Sequence, residues 1–165
     1  MAGETCNHIR VSVHGRSTQG GVRRAVAAAA YRAGQELEDQ TYEMTHDYSR
    51  RRDVWGSLLM VPEHMKNVEW ANDREQLWNA VETKENESRR AASAQLFREV
   101  MIPLAYELTD EQREQIVREY VNEQFVDKGM IADVSFHNFE KENPHAHIML
   151  TMREVTEEGF GNKAR

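Results

Sequence analysis

The chain has 165 residues, 39% hydrophobic and 30% charged, with a net charge of −7; this fits one soluble domain with a sizeable core and excludes a disordered chain. The acidic total argues against a nonspecific DNA binder, because neutralising phosphates normally demands a basic excess. No apolar stretch approaches the roughly 18 residues needed to span a membrane, the first residues read as lacking a signal peptide, and a cytoplasmic location is the simplest expectation. Cys6 is the sole cysteine, so neither an intrachain disulfide nor a thiolate metal cluster is available. The charges are unevenly spread. Arg10, Arg16, Arg23, Arg24 and Arg32 make residues 1–35 basic, Arg50, Arg51 and Arg52 form a second cluster, and acids concentrate in 63–87 and 107–127.

In chain order, residues 8–14 alternate, with Ile9, Val11 and Val13 on one side and His8, Arg10, Ser12 and His14 on the other. That is the pattern of a half-buried strand. Residues 17–21 read as a turn. Residues 21–37 predict a helix on an alanine run, with Val22, Val26, Ala29, Ala30, Ala33 and Leu37 available for packing. Residues 54–61 read as an apolar strand ended by Pro62, and 63–90 as largely helical, striped by Val68, Ala71, Leu77, Trp78 and Val81. A third strand, 96–102, stops at Pro103. Thr109-Asp110-Glu111-Gln112 resembles a capping box that opens a helix striped by Ile116, Val117, Tyr120, Val121 and Phe125 and ended near Gly129. Strands 131–138 and 145–152 follow, close enough to pair as an antiparallel hairpin, and 159–163 has loop composition. This order predicts an α/β two-layer sandwich, with helices on one face of a largely antiparallel sheet, in a single domain over residues 1–165.

The sharpest chemical feature is His137 followed by His145-Ala146-His147. Alternate strand residues point the same way, so His145 and His147 project together, while Ala146, Ile148 and Leu150 should face the helices. In the preceding strand Val134 and Phe136 should be buried, which puts His137 on the open face with Ser135 and Asp133. Three imidazoles converging from a rigid sheet make part of a coordination shell for a divalent ion, with positions left for substrate oxygens. Tyr31, in Ala-Ala-Ala-Tyr-Arg-Ala-Gly, reads on its own as a helical packing residue. The remaining histidines, His8, His14, His46 and His64, receive no role on spacing alone.

Together these residues carry a family resemblance. An N-terminal Tyr-Arg-x-Gly helix paired with a downstream Glu-Asn-Pro-His-x-His resembles the MobA/MobL (MobQ-class) plasmid relaxases of the HUH endonuclease group. The resemblance runs through the opening strand, Ala27-Ala28-Ala29-Ala30-Tyr31-Arg32-Ala33-Gly34, Leu96-Phe97-Arg98-Glu99-Val100, Ile102-Pro103-Leu104 and Glu142-Asn143-Pro144-His145-Ala146-His147-Ile148-Met149-Leu150. Relaxases place the tyrosine before the histidines, whereas rolling-circle replication initiators place it after them.

The resemblance implies site- and strand-specific nicking and rejoining of single-stranded DNA at a plasmid transfer origin, initiating conjugative mobilisation. Tyr31 would be the nucleophile and would form a 5′-phosphotyrosine link. His137, His145 and His147 would hold the metal; zinc suits three histidines, but the resemblance points to manganese or magnesium. Accessory DNA-binding proteins and a coupling protein are the implied partners, with no membrane insertion, and the chain would be the N-terminal part of a longer protein. Glu99 alternates with Val100, so its carboxylate should share the histidine face, where it would accept the tyrosine proton, orient a histidine or pair with an arginine. Arg16, Arg23, Arg24 and Arg32 are the candidate phosphate contacts. Trp55, Tyr42, Tyr48 and Phe139 are available as stacking platforms for bases, and spacing assigns none of them. Two other readings stay open: a metal-dependent nuclease or phosphodiesterase with no covalent tyrosine intermediate, and a non-cleaving origin-binding module.

Overall fold

The computed structural model describes residues 8–164, so Cys6 lies outside the described residues. Strand β1 (Arg10–Gly15) leads into a short hairpin, β2 (Ser17–Thr18) and β3 (Gly21–Val22), and then helix α1 (Ala25–Ala33). A second hairpin, β4 (Glu36–Asp39) and β5 (Met44–Asp47), precedes β6 (Val54–Met60), α2 (Arg74–Asn86) and β7 (Gln95–Pro103). Helix α3 (Asp110–Gln124) is followed by β8 (Ala132–His137), β9 (His145–Leu150) and a closing hairpin of β10 (Arg153–Thr156) and β11 (Gly159–Lys163). The central sheet is antiparallel throughout, in the order β1-β7-β9-β8-β6.

The α/β architecture and the antiparallel sheet are as the sequence predicts, but the helices divide between the two faces. Val117 and Val121 of α3 cluster with Val134, Phe136, Ala146 and Ile148 on one side. On the other, α1 and α2 pack over Phe97 and Met149 through Val26, Ala29, Leu77 and Trp78. The histidine face is therefore not open. Sequence periodicity gives the apolar side of each helix but not the side of the sheet it will meet, and both sides here offer apolar surface.

Local chemistry explains where the elements stop. Thr109 and Gln112 form the expected capping box at the start of α3, each side chain bonding the other's backbone N–H. The predicted helix 21–37 is shorter at both ends. Its N-cap, Arg24, offers no side-chain cap, and the carboxylate of Glu82 on α2 instead accepts the Ala25 N–H at 2.7 Å. At its other end Gly34 adopts φ 64, and a β-carbon there would lie 3.1 Å from Val54 Cγ2. Glycine thus both turns the chain and permits the helix to close on β6. In place of the long helix 63–90 the chain makes two 3₁₀ turns and then α2, capped by the Asp73 side chain. Residues 159–163, expected to be loop, are β11.

Strand β1 forms, but it is not half-buried as predicted: Arg10 to Val13 are all exposed, Val11 at 63% and Val13 at 47%. The strand lies at the sheet edge, and α3 covers β8 and β9 further across.

Candidate metal site and nucleophile

The hairpin of β8 and β9 brings the three histidines together, with His137 opposite His145 and Ser135 opposite His147. The connecting residues turn sharply at Asn138 and Asn143, with φ 59 and 66, a left-handed conformation that asparagine tolerates better than most side chains. All three histidines are buried, and one ligand atom from each lies within 4.8 Å of the others.

Their outward nitrogens fix the tautomers. His145 Nδ1 donates to the Asn143 carbonyl at 2.8 Å, and His137 Nε2 donates to the Arg32 carbonyl at 2.7 Å. His147 Nδ1 faces Glu99 Oε1 at 3.5 Å, a long contact. With those N–H groups directed outward, a neutral imidazole has its lone pair on the inner nitrogen. His145 Nε2 and His147 Nε2 then face each other 3.2 Å apart as two acceptors, an arrangement that repels unless a cation lies between them. Two nitrogens about 2.1 Å from one ion, at right to tetrahedral angles, sit roughly 3.0–3.4 Å apart. The residues fit a divalent ion held by His137, His145 and His147.

Burial keeps the His137 ring ready as a neutral ligand. Burial, reinforced by the nearby His147, Arg51 and His145, pushes His137 down to about 3, against the opposing pull of the Arg32 carbonyl. Burial alone would raise Glu99, but the His147 contact and the Arg32 guanidinium outweigh it and hold the carboxyl at about 2. Glu99 is thus ionised, buried, and committed to an ion pair with Arg32 and a contact with His147.

Tyr31 lies on α1, one residue before the carbonyl that binds His137. Read alone it suggests packing, but its side chain is 47% exposed. Its ring meets Tyr48 edge-on at 5.2 Å, and the Arg51 guanidinium lies 4.2 Å over its face. Arg51 also donates to the Tyr31 carbonyl at 2.7 Å and pairs through two nitrogens with Asp53.

The arginines expected on one DNA surface separate. Arg16 is a correction: it is buried, paired with Glu82 at 2.6 Å and bonded to the Ala91 carbonyl, so it braces α2 and is withdrawn from ligands. Arg23 donates to the Gly15 carbonyl, Arg24 lies over the Tyr42 ring, and Arg32 is occupied by Glu99 and the Ala28 carbonyl. All three remain partly accessible.

Sequence reasoning missed Arg51 and His14. His14 stacks on Phe97 at 4.7 Å and bonds Ser12, which pairs with Glu99 across β1 and β7. Burial lowers its pKa, with Glu99 opposing and Arg23 and Arg32 adding to the effect. Alternation had placed His14 on one side of its strand; only the pairing of β1 with β7 identifies that side as the histidine face. For Arg51 the signal was the arginine cluster, which says nothing about Tyr31.

With the fold and this geometry established, comparison with known proteins gives a consistent result. The MobA/MobL family model matches residues 23–165. The conjugal transfer protein TraA of Agrobacterium fabrum is 34% identical over 88% of this chain, and the mobilization protein MobL of Acidithiobacillus ferridurans 33% over 86%. The chain spans only 14% and 42% of those two proteins. A solved structure on the molecular basis of vancomycin resistance transfer in Staphylococcus aureus superposes with a TM-score of 0.83 at 26% identity, over 96% of this chain and 76% of that one. The chain belongs to the MobA/MobL family.

Proposed function

We propose that this chain is the nicking domain of a plasmid relaxase and the N-terminal part of a longer protein. Its substrate is single-stranded DNA at a transfer origin. The Tyr31 oxygen attacks the scissile phosphorus, the bond from phosphorus to the 3′ oxygen breaks, and a 5′-phosphotyrosine remains with a free 3′-hydroxyl. The phenol proton passes to solvent or a base and the departing 3′ oxygen gains one. Because a phosphodiester replaces a phosphodiester, the step reverses and the same residue rejoins the ends. The observation that supports this reading most is the convergence of three histidine nitrogens beside a helix that presents an exposed tyrosine.

His137, His145 and His147 would hold manganese or magnesium, which would supply Lewis-acid stabilisation of the charge developing on the phosphate. Glu99 is a positioning residue: already ionised at about 2 and paired with Arg32, it is a poor proton acceptor and serves to orient His147. Arg51 orients Tyr31, through its bond to the Tyr31 carbonyl and its guanidinium over the ring face. Arg23, Arg24 and Arg32 remain the candidate phosphate contacts. Accessory DNA-binding proteins and a coupling protein would complete the transfer machinery.

The test incubates labelled single-stranded oligonucleotides, tiled across the parent plasmid, with protein and manganese. One tile should become covalently attached on a denaturing gel, and attachment should vanish in Tyr31→Phe and with chelator. Cleavage without an adduct, unchanged in Tyr31→Phe, would instead establish a metal-dependent hydrolase.

A further inference from the structure

A second recess lies at the same end of the sheet as the histidines and has no part in the chemistry above. It is a cavity of about 210 Å³ between the start of β6 and the turn after β8. Its main surface is Trp55. The pairing of β6 with β8 slips between Val54 and Gly56, so Trp55 falls at an irregularity of the ladder, a device that re-aims a side chain. One face of the indole lies on Phe139 at 4.8 Å and 27°, its edge meets Phe136, and the residue is still 40% exposed. A large aromatic supported from behind and accessible in front is a platform for another flat ring.

The rest of the lining suits a base better than a phosphate. Arg52 and Lys141 stand against Asp53 and Glu140, so the charges balance. Asn138 adds a carboxamide, which offers a donor and an acceptor side by side to a base edge. The recess is also tied to the catalytic groups. Asn138 directly follows His137, its N–H bonds the Asp53 carbonyl at 2.9 Å, and Asp53 is the partner of the Arg51 that holds Tyr31.

We propose that this recess is a subsite for one nucleobase of the single-stranded substrate close to the scissile phosphate, stacked on Trp55 and read at its edge by Asn138. The proposal rests on the reading of the domain as acting on single-stranded DNA. It explains why a supported, accessible tryptophan sits beside the metal site, and it makes the subsite a source of sequence preference that the histidines and Tyr31 cannot supply.

The test measures binding without metal, so it stands apart from cleavage. Trp70→Phe protein, in which Trp78 remains fully buried, reports on Trp55 by fluorescence when titrated with the tiled single-stranded oligonucleotides. Saturable quenching is expected for at least one tile, and Trp55→Ala should weaken its Kd about tenfold, the scale of one base–aromatic stack. Abasic sites are then introduced one position at a time. At one position the loss should match that of Trp55→Ala and should not add to it. Asn138→Gly, which keeps the left-handed turn, should reduce discrimination among bases at that position. Trp55→Phe retains a platform and serves where Trp55→Ala fails to fold. Fully additive losses at every position, or no quenching by any tile, would overturn the subsite. If a Tyr31 adduct forms while Trp55 stays silent, nicking stands and the subsite falls. If Trp55 responds and no tile forms an adduct, the subsite stands and the nicking reading falls.

Discussion

One face of the central sheet presents Ala132, Val134, Phe136, Ala146, Ile148 and Leu150 to α3, while the other presents Asp133, Ser135, His137, His145 and His147 beneath α1 and α2. Both sets are buried, yet they come from the same two strands in strict alternation. The first face needs only volume and shape. The second must satisfy the polar groups it removes from water, and the helices bring several of the partners. Arg74 and the Trp78 indole hold Asp133, the Arg32 carbonyl holds His137, and Arg32 holds Glu99. The comparison teaches that α1 and α2 do more than cover this face: they supply counterparts for His137, Asp133 and Glu99.

Neighbouring substitutions on β9 should separate the two faces most sharply. His147→Ala is expected to abolish manganese binding by calorimetry and adduct formation on gels, with only a modest change in stability. Ile148→Ala, one residue on, should lower unfolding free energy by about 2–5 kcal/mol in urea and leave manganese affinity near that of the parent. Equal stability losses in the two variants would erase the distinction. Glu99→Gln is the next smaller step. It keeps the shape but not the charge that orients His147, and metal affinity should fall about 10–100-fold.

Arg51→Ala probes the nucleophile without touching the ligands. Adduct formation should slow about tenfold, the scale of one cation–π contact and one hydrogen bond, while manganese affinity stays constant. A fall in metal affinity instead would mean that Arg51 acts through His137.

A pH dependence also follows from the buried titratable groups of the polar face. His137 is lowered from 6.5 to about 3 and Glu99 from 4.5 to about 2. Through each window the unfolded chain binds the proton that the folded chain refuses, so stability rises with pH. Chelator-treated protein should therefore be most stable above about pH 6.5, weaken down to about pH 3 as unfolded His137 protonates, and weaken further between about 4.5 and 2 through Glu99. Urea titrations at stepped pH check this, and Glu99→Gln should remove the Glu99 share of the more acidic contribution, leaving that of Asp53 and Glu85. Flat stability between pH 6.5 and 4.5 would contradict the burial of His137 as a neutral ring.

Much of this was legible in the sequence because strand alternation is a strict rule. It placed His137, His145, His147 and Glu99 on a common face from spacing alone. What it could not give were relations between distant segments. Glu36 and Leu37 read as the tail of a helix, and only the pairing of Glu36–Asp39 with β5 makes them a strand. Arg16 looks like a solvated charge until Glu82, 66 positions away, meets it inside the protein. Tyr31 stands out of the core because the alanines around it fill the contact with the sheet, a matter of which side of a short helix faces inward. The role proposed for Tyr31 came from the resemblance to relaxases; no local pattern gave it.

The mounting of α1 has a mechanical consequence. Under the proposed chemistry a DNA strand hangs from the helix by a covalent bond, so any tension on that strand is a load on nine residues. At one end the load runs through the Ala25 amide to Glu82, and from there to Arg16 and α2. At the other it runs through the tight seat of Gly34 against Val54 into β6 and the sheet. In the last turn, the bond between the Arg32 carbonyl and His137 joins the helix to β8. A rod gripped at three points resists being peeled away, and the tyrosine can stay beside the histidine cluster for as long as the strand is out.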